Sequence, residues 1–117
     1  MKIYHNPNCS KSRKTLELIK RKTSDIQIIE YLKNPLTFKE IKLILSKLNM
    51  NPIELIRTHE RIWKENYKKK KMNDEQIINM MTKYPKLIER PIVTNKKKAI
   101  IGRPPENVFV LLDQEGI

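Results

Sequence analysis

The chain has 117 residues, with 25 Lys and Arg against 13 Asp and Glu for a formal net charge of +12, and one cysteine. That length suits a single compact domain. One thiol excludes an internal disulfide and a cysteine-rich zinc site, and no apolar run approaches the roughly 18 residues a membrane-spanning helix needs.

No apolar stretch suited to a signal peptide follows Met1, so a reducing cytoplasm is the expected setting. So positive a chain raises nucleic acid as a partner. Lysine, isoleucine and asparagine are abundant throughout, however, and the densest run, within YKKKKMND, reads as a solvated loop. Nucleic acid ranks last among the partners considered, because no recognition motif accompanies the charge and aromatics make up only 6% of the chain.

In chain order, KIYH and DIQIIEYL are short, rich in isoleucine and tyrosine, and bounded by turn residues, as strands are. Between them, SKSRKTLELIKRK spaces Leu16, Ile19 and the stems of Lys14 and Lys20 as a helix face would, giving a β-α-β opening with a parallel strand pair. Thr37 followed by Glu40 is a capping box, and Ile41, Ile44, Leu45 and Leu48 then share one helix face. NPIELI starts a shorter helix with Pro52 in its first turn, and NDEQIINMMTKY a third, capped by Asn73 and burying Ile77, Met80, Met81 and Tyr84. RPIVT and KKAIIG then read as an antiparallel hairpin, and PPENVFVLL as a final helix. The expected fold is α/β: a β-α-β and β-β-α core in one domain over 1–117, with a helical insertion at about 35–85.

Asn6, Pro7 and Asn8 turn the chain out of the first strand and deliver Cys9 at or beside the start of the first helix. Unpaired N–H groups and the helix dipole there favour a thiolate or a bound oxyanion. An ordinary lone cysteine is an inert small hydrophobe. The polar turn around Cys9, with Ser10, Ser12 and Arg13 close in sequence, points instead to a nucleophile. A tyrosine-phosphatase loop would need an arginine six residues later, where Thr15 stands, and a C-x-x-C oxidoreductase a second cysteine, where Ser12 stands. A nucleophile at Cys9 must therefore be resolved by a thiol from another molecule. Arg57, Arg90 and Arg103 lie at loop or element ends in a chain that otherwise favours lysine, which suits bidentate recognition of an oxyanion as well as ordinary surface charge. Pro91, just before a strand, has a backbone role there, a cis bond among the options.

Four motifs in order, YHNPNCSKSRKTLE, LIRTHE, YPKLIERPIV and IIGRPPENV, make the chain resemble the ArsC-type, glutaredoxin-linked arsenate reductases over essentially its whole length. The resemblance implies a thioredoxin-like fold with a helical insert, Cys9 as the nucleophile toward arsenate, and Arg57, Arg90 and Arg103, with Ser12, as the oxyanion-binding set. It further implies His5 as a histidine that helps keep the thiol pKa low, Pro91 as the cis-proline near the active cysteine, and glutathione and glutaredoxin as external reductants with no bound cofactor or metal. A monomer is expected. Two alternatives stay open: a Spx-like transcriptional regulator that binds RNA polymerase, against which Ser12 argues, and an ArsC-like thiol oxidoreductase without arsenate activity.

Overall fold

The computed structural model describes residues 1–116. The chain divides into two compact units, one of Met1–Asn34 together with the chain from Arg90 onward, the other Pro35–Glu89.

The first unit holds β1 (Lys2–Tyr4), α1 (Ser10–Lys20), β2 (Gln27–Ile29), β3 (Ile92–Thr94), β4 (Ala99–Ile101) and α5 (Val108–Gln114), the last preceded by a 3-10 turn, Pro105–Asn107; the second unit holds α2 (Phe38–Leu48), α3 (Arg61–Asn66) and α4 (Asp74–Lys83). The four strands form one sheet in the order β2-β1-β3-β4. β1 pairs parallel with β2, with Ile3 opposite Ile28, and antiparallel with β3, with Ile3 opposite Val93. β3 and β4 close the hairpin that the sequence predicts. Ile3 and Val93 from the sheet, Leu18 and Ile19 from α1, and Val108, Leu111 and Leu112 from α5 form one buried apolar cluster, so both helices are held to the sheet by the same hydrophobic contact.

The buried face of α1 differs from the one its apolar spacing predicts. Ser12, Thr15, Leu18 and Ile19 are buried, Leu16 is only partly so, and Lys14 and Lys20 are exposed. Two small hydroxylic side chains occupy the inner face of the first two turns because each finds a hydrogen-bond partner there: Ser12 at His5 and Asn6, Thr15 at Lys11 and Gly102.

In the second unit, α2 (Phe38–Leu48) starts at the predicted capping box: Thr37 Oγ1 accepts from Glu40 N–H at 3.2 Å, and Glu40 Oε1 accepts from Thr37 N–H at 3.1 Å. It ends at Asn49, whose φ of 56° is the left-handed cap that asparagine tolerates. Asn73 and Gln76 form the same box at the head of α4 (Asp74–Lys83). Ile41, Ile44 and Leu45 of α2 are buried, as are Ile77, Ile78, Met80 and Met81 of α4, whereas Tyr84 is only partly buried. NPIELI forms a 3-10 turn, Pro52–Leu55, rather than an α-helix. A short helix the spacing did not reveal, α3 (Arg61–Asn66), buries only Trp63. Ile56 and Ile88 make an isolated antiparallel bridge, flanked by Arg57 N–H to Leu87 O at 2.8 Å and Glu89 N–H to Leu55 O at 2.9 Å.

Candidate active site around Cys9

β1 ends at Tyr4 and hands the chain to His5 and Asn6, both buried. Asn6 then builds the turn: its side-chain oxygen accepts from Asn8 N–H at 3.0 Å, and its carbonyl accepts from Cys9 N–H at 3.0 Å. Cys9 is thereby placed at the N-cap of α1, with extended φ and ψ of −99° and 123°, and its carbonyl accepts the first helical bond from Arg13 N–H. Arg13 returns to the turn through Nη1, which donates to Pro7 O at 2.9 Å.

An N-cap side chain ordinarily accepts from the second or third helical N–H. At Cys9 no side-chain cap bond closes, and the sulfur instead lies in the field of the N–H groups at the head of α1. Burial, with Cys9 only 9% exposed, pushes the thiol pKa up, but the N–H of Ser12, the side chain and charge of Arg90, and the N–H of Lys11 outweigh it and hold the pKa below its ordinary value. Arg103 adds a second guanidinium: its Nη2 lies 3.5 Å from Cys9 Sγ, while its Nε donates to Arg90 O at 2.7 Å.

Both arginines precede prolines in cis peptide bonds, Arg90–Pro91 at the head of β3 and Arg103–Pro104 before the last turn. Pro91 thus has the geometry that the resemblance implies; the second cis bond had no sequence signal. Gly102 N–H donates to Pro91 O at 2.9 Å, and a Cβ at Gly102 would lie 2.5 Å from Thr15 Oγ1 and 2.8 Å from Pro91 Cγ. Only a bare Cα lets α1 and the Pro91 segment come together at this point. That this is one of only two glycines in the chain was the available clue.

His5 and Ser12 meet as a pair, Nδ1 to Oγ at 2.6 Å, with Ser12 Oγ also accepting from Asn6 N–H at 3.0 Å. Ser12 is fully buried, so what it offers the sulfur is its backbone N–H, and its hydroxyl is spent on fixing the loop. Burial lowers the His5 pKa, which the nearby Glu30 opposes and Lys20 and Arg13 reinforce. Protonation of the ring is thus disfavoured relative to a free imidazole, and its contact with the Cys9 loop runs through Ser12.

Arg57 belongs to the second unit, 8% exposed and engaged at every nitrogen: Nε with Glu60 at 3.2 Å, Nη1 with Glu89 at 3.5 Å and Nη2 with His59 Nε2 at 2.9 Å. Nothing in the sequence marked Glu60, Glu89 or His59 as its partners. Among the described residues, no three His, Cys, Asp or Glu side chains gather as a metal site would require, and no helix is long and apolar enough to cross a membrane.

The four-stranded sheet with its lone thiol at the head of the helix after the first strand, beside two guanidiniums and with a cis-proline leading into β3, defines a thioredoxin-like fold. The model of the ArsC family matches residues 4–110, and the chain belongs to that family. It is 43% identical to the uncharacterized protein YfgD of Escherichia coli (strain K12), over 96% of each chain. It is 38% identical to an arsenate reductase of Haemophilus influenzae, over 94% of this chain and 97% of that one. Among solved structures, an arsenate reductase from Vibrio cholerae superposes with a TM-score of 0.87 at 40% identity, covering 93% of this chain and 96% of that one.

Proposed function

We propose that this chain is an oxidoreductase that reduces arsenate to arsenite, with Cys9 as nucleophile and thiols from other molecules as the source of electrons. The observation that carries the reading is the Cys9 sulfur at the α1 N-cap, with its lowered pKa and with Arg90 and Arg103 beside it. A thiolate so placed attacks arsenic, and one oxygen of arsenate leaves as water once protonated. The N–H groups of Lys11 and Ser12 and the two guanidiniums stabilise negative charge before and after that step. Two external thiols then supply two electrons and two protons and depart as a disulfide, taking arsenic(V) to arsenic(III) and returning Cys9 to the thiolate.

Glutathione and glutaredoxin are the external thiols this reading assigns, in a reducing cytoplasm, with the chain working as a monomer and holding no cofactor of its own. Ser12 and His5 position the loop, Pro91 shapes its surroundings, and Arg57 belongs to the oxyanion set through the family resemblance. A second reading keeps the same thiol chemistry but not arsenate. The state of Arg57 favours it, since a guanidinium already balanced by Glu60 and Glu89 has little charge left to offer an oxyanion.

The deciding assay is arsenate-dependent NADPH oxidation in the presence of glutathione, glutaredoxin and glutathione reductase. Activity in the parent that disappears in Cys9→Ser is expected. NADPH oxidation that does not depend on arsenate, or that survives Cys9→Ser, removes the proposal.

A further inference from the structure

The main chain of Arg103 carries a hydrogen bond that the site described above does not use, from the side chain of Asn107. Asn107 ends the Pro105–Asn107 turn and stands one residue before Val108, which is buried in the cluster that fixes α5 to the sheet. An asparagine at the head of a helix ordinarily accepts, through its side-chain oxygen, from an N–H two or three residues ahead. Asn107 makes no such cap. Its side-chain nitrogen turns back instead and donates to Ile101 O at 3.2 Å and to Arg103 O at 3.1 Å, while its own backbone N–H donates to Pro104 O at 3.0 Å. The orientation of the amide follows from its partners: two carbonyls call for a donor, and the flipped amide would set its oxygen against both.

These bonds close residues 101–107 into one turn from its far side. Its near side is tied separately, Gly102 N–H donating to Pro91 O at 2.9 Å and Thr15 Oγ1 to Gly102 O at 3.4 Å. Arg103 leaves the turn between those ties and spans to two acceptors, Arg90 O through Nε at 2.7 Å and Cys9 Sγ through Nη2 at 3.5 Å. A free arginine side chain samples many rotamers, and a hydrogen bond weakens steeply with misalignment, so a main chain held at residue 103 favours the conformation in which both contacts form. Asn107 is exposed, so its amide shapes this turn without filling the core.

We propose that Asn107 is a positioning residue for the Cys9 site, its side-chain amide holding the Ile101–Pro104 turn in the shape that keeps the Arg103 guanidinium at the sulfur. As a contribution to turnover, this role rests on the reading of Cys9 as the nucleophile. Asn107 touches neither the sulfur nor an oxyanion, and acts through Arg103 alone.

The test follows alkylation of Cys9 by iodoacetamide across pH, whose midpoint is the thiol pKa in the folded protein, in the parent, Asn107→Ala, Arg103→Ala and the double variant. Asn107→Ala is expected to raise the midpoint and to slow alkylation at neutral pH about threefold, the effect of one modest hydrogen bond. Its urea unfolding midpoint should stay close to the parent's, as for an exposed substitution. In the Arg103→Ala background the same substitution is expected to leave the thiol unchanged. A substitution that merely loosened the fold would act in the opposite sense, since opening the buried thiol to the reagent speeds alkylation. An unchanged midpoint in either single variant, faster alkylation in Asn107→Ala, or an equal upward shift with and without Arg103 overturns the proposal. None of these readouts needs arsenate. The expected shifts in a protein whose parent lacks arsenate activity would keep the role of Asn107 and remove the function proposed above, and arsenate activity with an unmoved thiol would do the reverse.

Discussion

Gly102→Ala adds one methyl group where α1, the Pro91 segment and the end of β4 converge. On the existing backbone the new Cβ lies 2.5 Å from Thr15 Oγ1, 3.0 Å from Thr15 Cγ2 and 2.8 Å from Pro91 Cγ, where ordinary contact begins at 3.4 Å. Neither neighbour is a flexible tip: Thr15 is β-branched, fully buried and hydrogen bonded to Lys11 O, and Pro91 is a ring. The backbone itself would accept alanine, since the one positive-φ glycine among the described residues is Gly116. Alanine should therefore gain about 0.4–1 kcal/mol by restricting the unfolded chain. Crowding a filled interior costs about 1–3 kcal/mol, so at mid-range crowding wins with a net loss of about 1.3 kcal/mol. Urea unfolding followed by far-UV circular dichroism measures it, with the slope unchanged and the midpoint lowered. In a Thr15→Ala background two of the three short contacts are gone, so the same substitution should cost at least about 0.5 kcal/mol less. Arg103 follows Gly102 directly and donates to the sulfur, so alkylation of Cys9 should slow as well. A Gly102→Ala protein as stable as the parent, or strict additivity with Thr15→Ala, would refute the steric reasoning.

Three further outcomes are expected. Arg90→Ala and Arg103→Ala should each raise the Cys9 pKa and slow iodoacetamide alkylation near neutral pH while leaving the circular dichroism spectrum intact; unchanged alkylation in both would show that the guanidiniums do not tune the thiol. Stability should depend on pH through two groups whose folded pKa values lie below their unfolded ones. Each contributes stability that is fully present above its unfolded pKa and lost as pH falls through its folded pKa, so stability should decline below about 8.5 on account of Cys9 and again below about 6.5 on account of His5. Unfolding midpoints against pH for the parent and Cys9→Ser separate the two, since the upper decline should vanish in the serine variant. Thr37→Ala should lower stability by about 1 kcal/mol by removing one half of the capping box on α2; no change in the urea midpoint would mean that the cap contributes nothing.

How far the sequence could be read followed the range of each interaction. Thr37 with Glu40 and Asn73 with Gln76 are pairs three residues apart, and both capping boxes formed. The hairpin of β3 and β4 and the turn that places Cys9 on α1 were likewise announced by adjacent residues. α3 has no signature in the sequence, because six residues that bury only Trp63 carry no apolar periodicity. The inner face of α1 departs from its apolar spacing because spacing carries no sign that Ser12 and Thr15 find buried partners, Thr15 across 87 residues at Gly102.

The sequence by itself determined the order of elements, the α/β class and the candidate nucleophile, since these depend on turn formers, caps and apolar spacing within a few residues of one another. Tertiary structure alone decided which charges meet. Arg103 reaches Cys9 across 94 residues, and Arg57 reaches Glu89 across 32. The first guanidinium meets a sulfur and the second a pair of carboxylates, although each arginine directly follows a largely apolar run, AIIG and IELI. A charge acts over the few ångströms that folding sets, so its role is fixed by the neighbours that the fold brings to it.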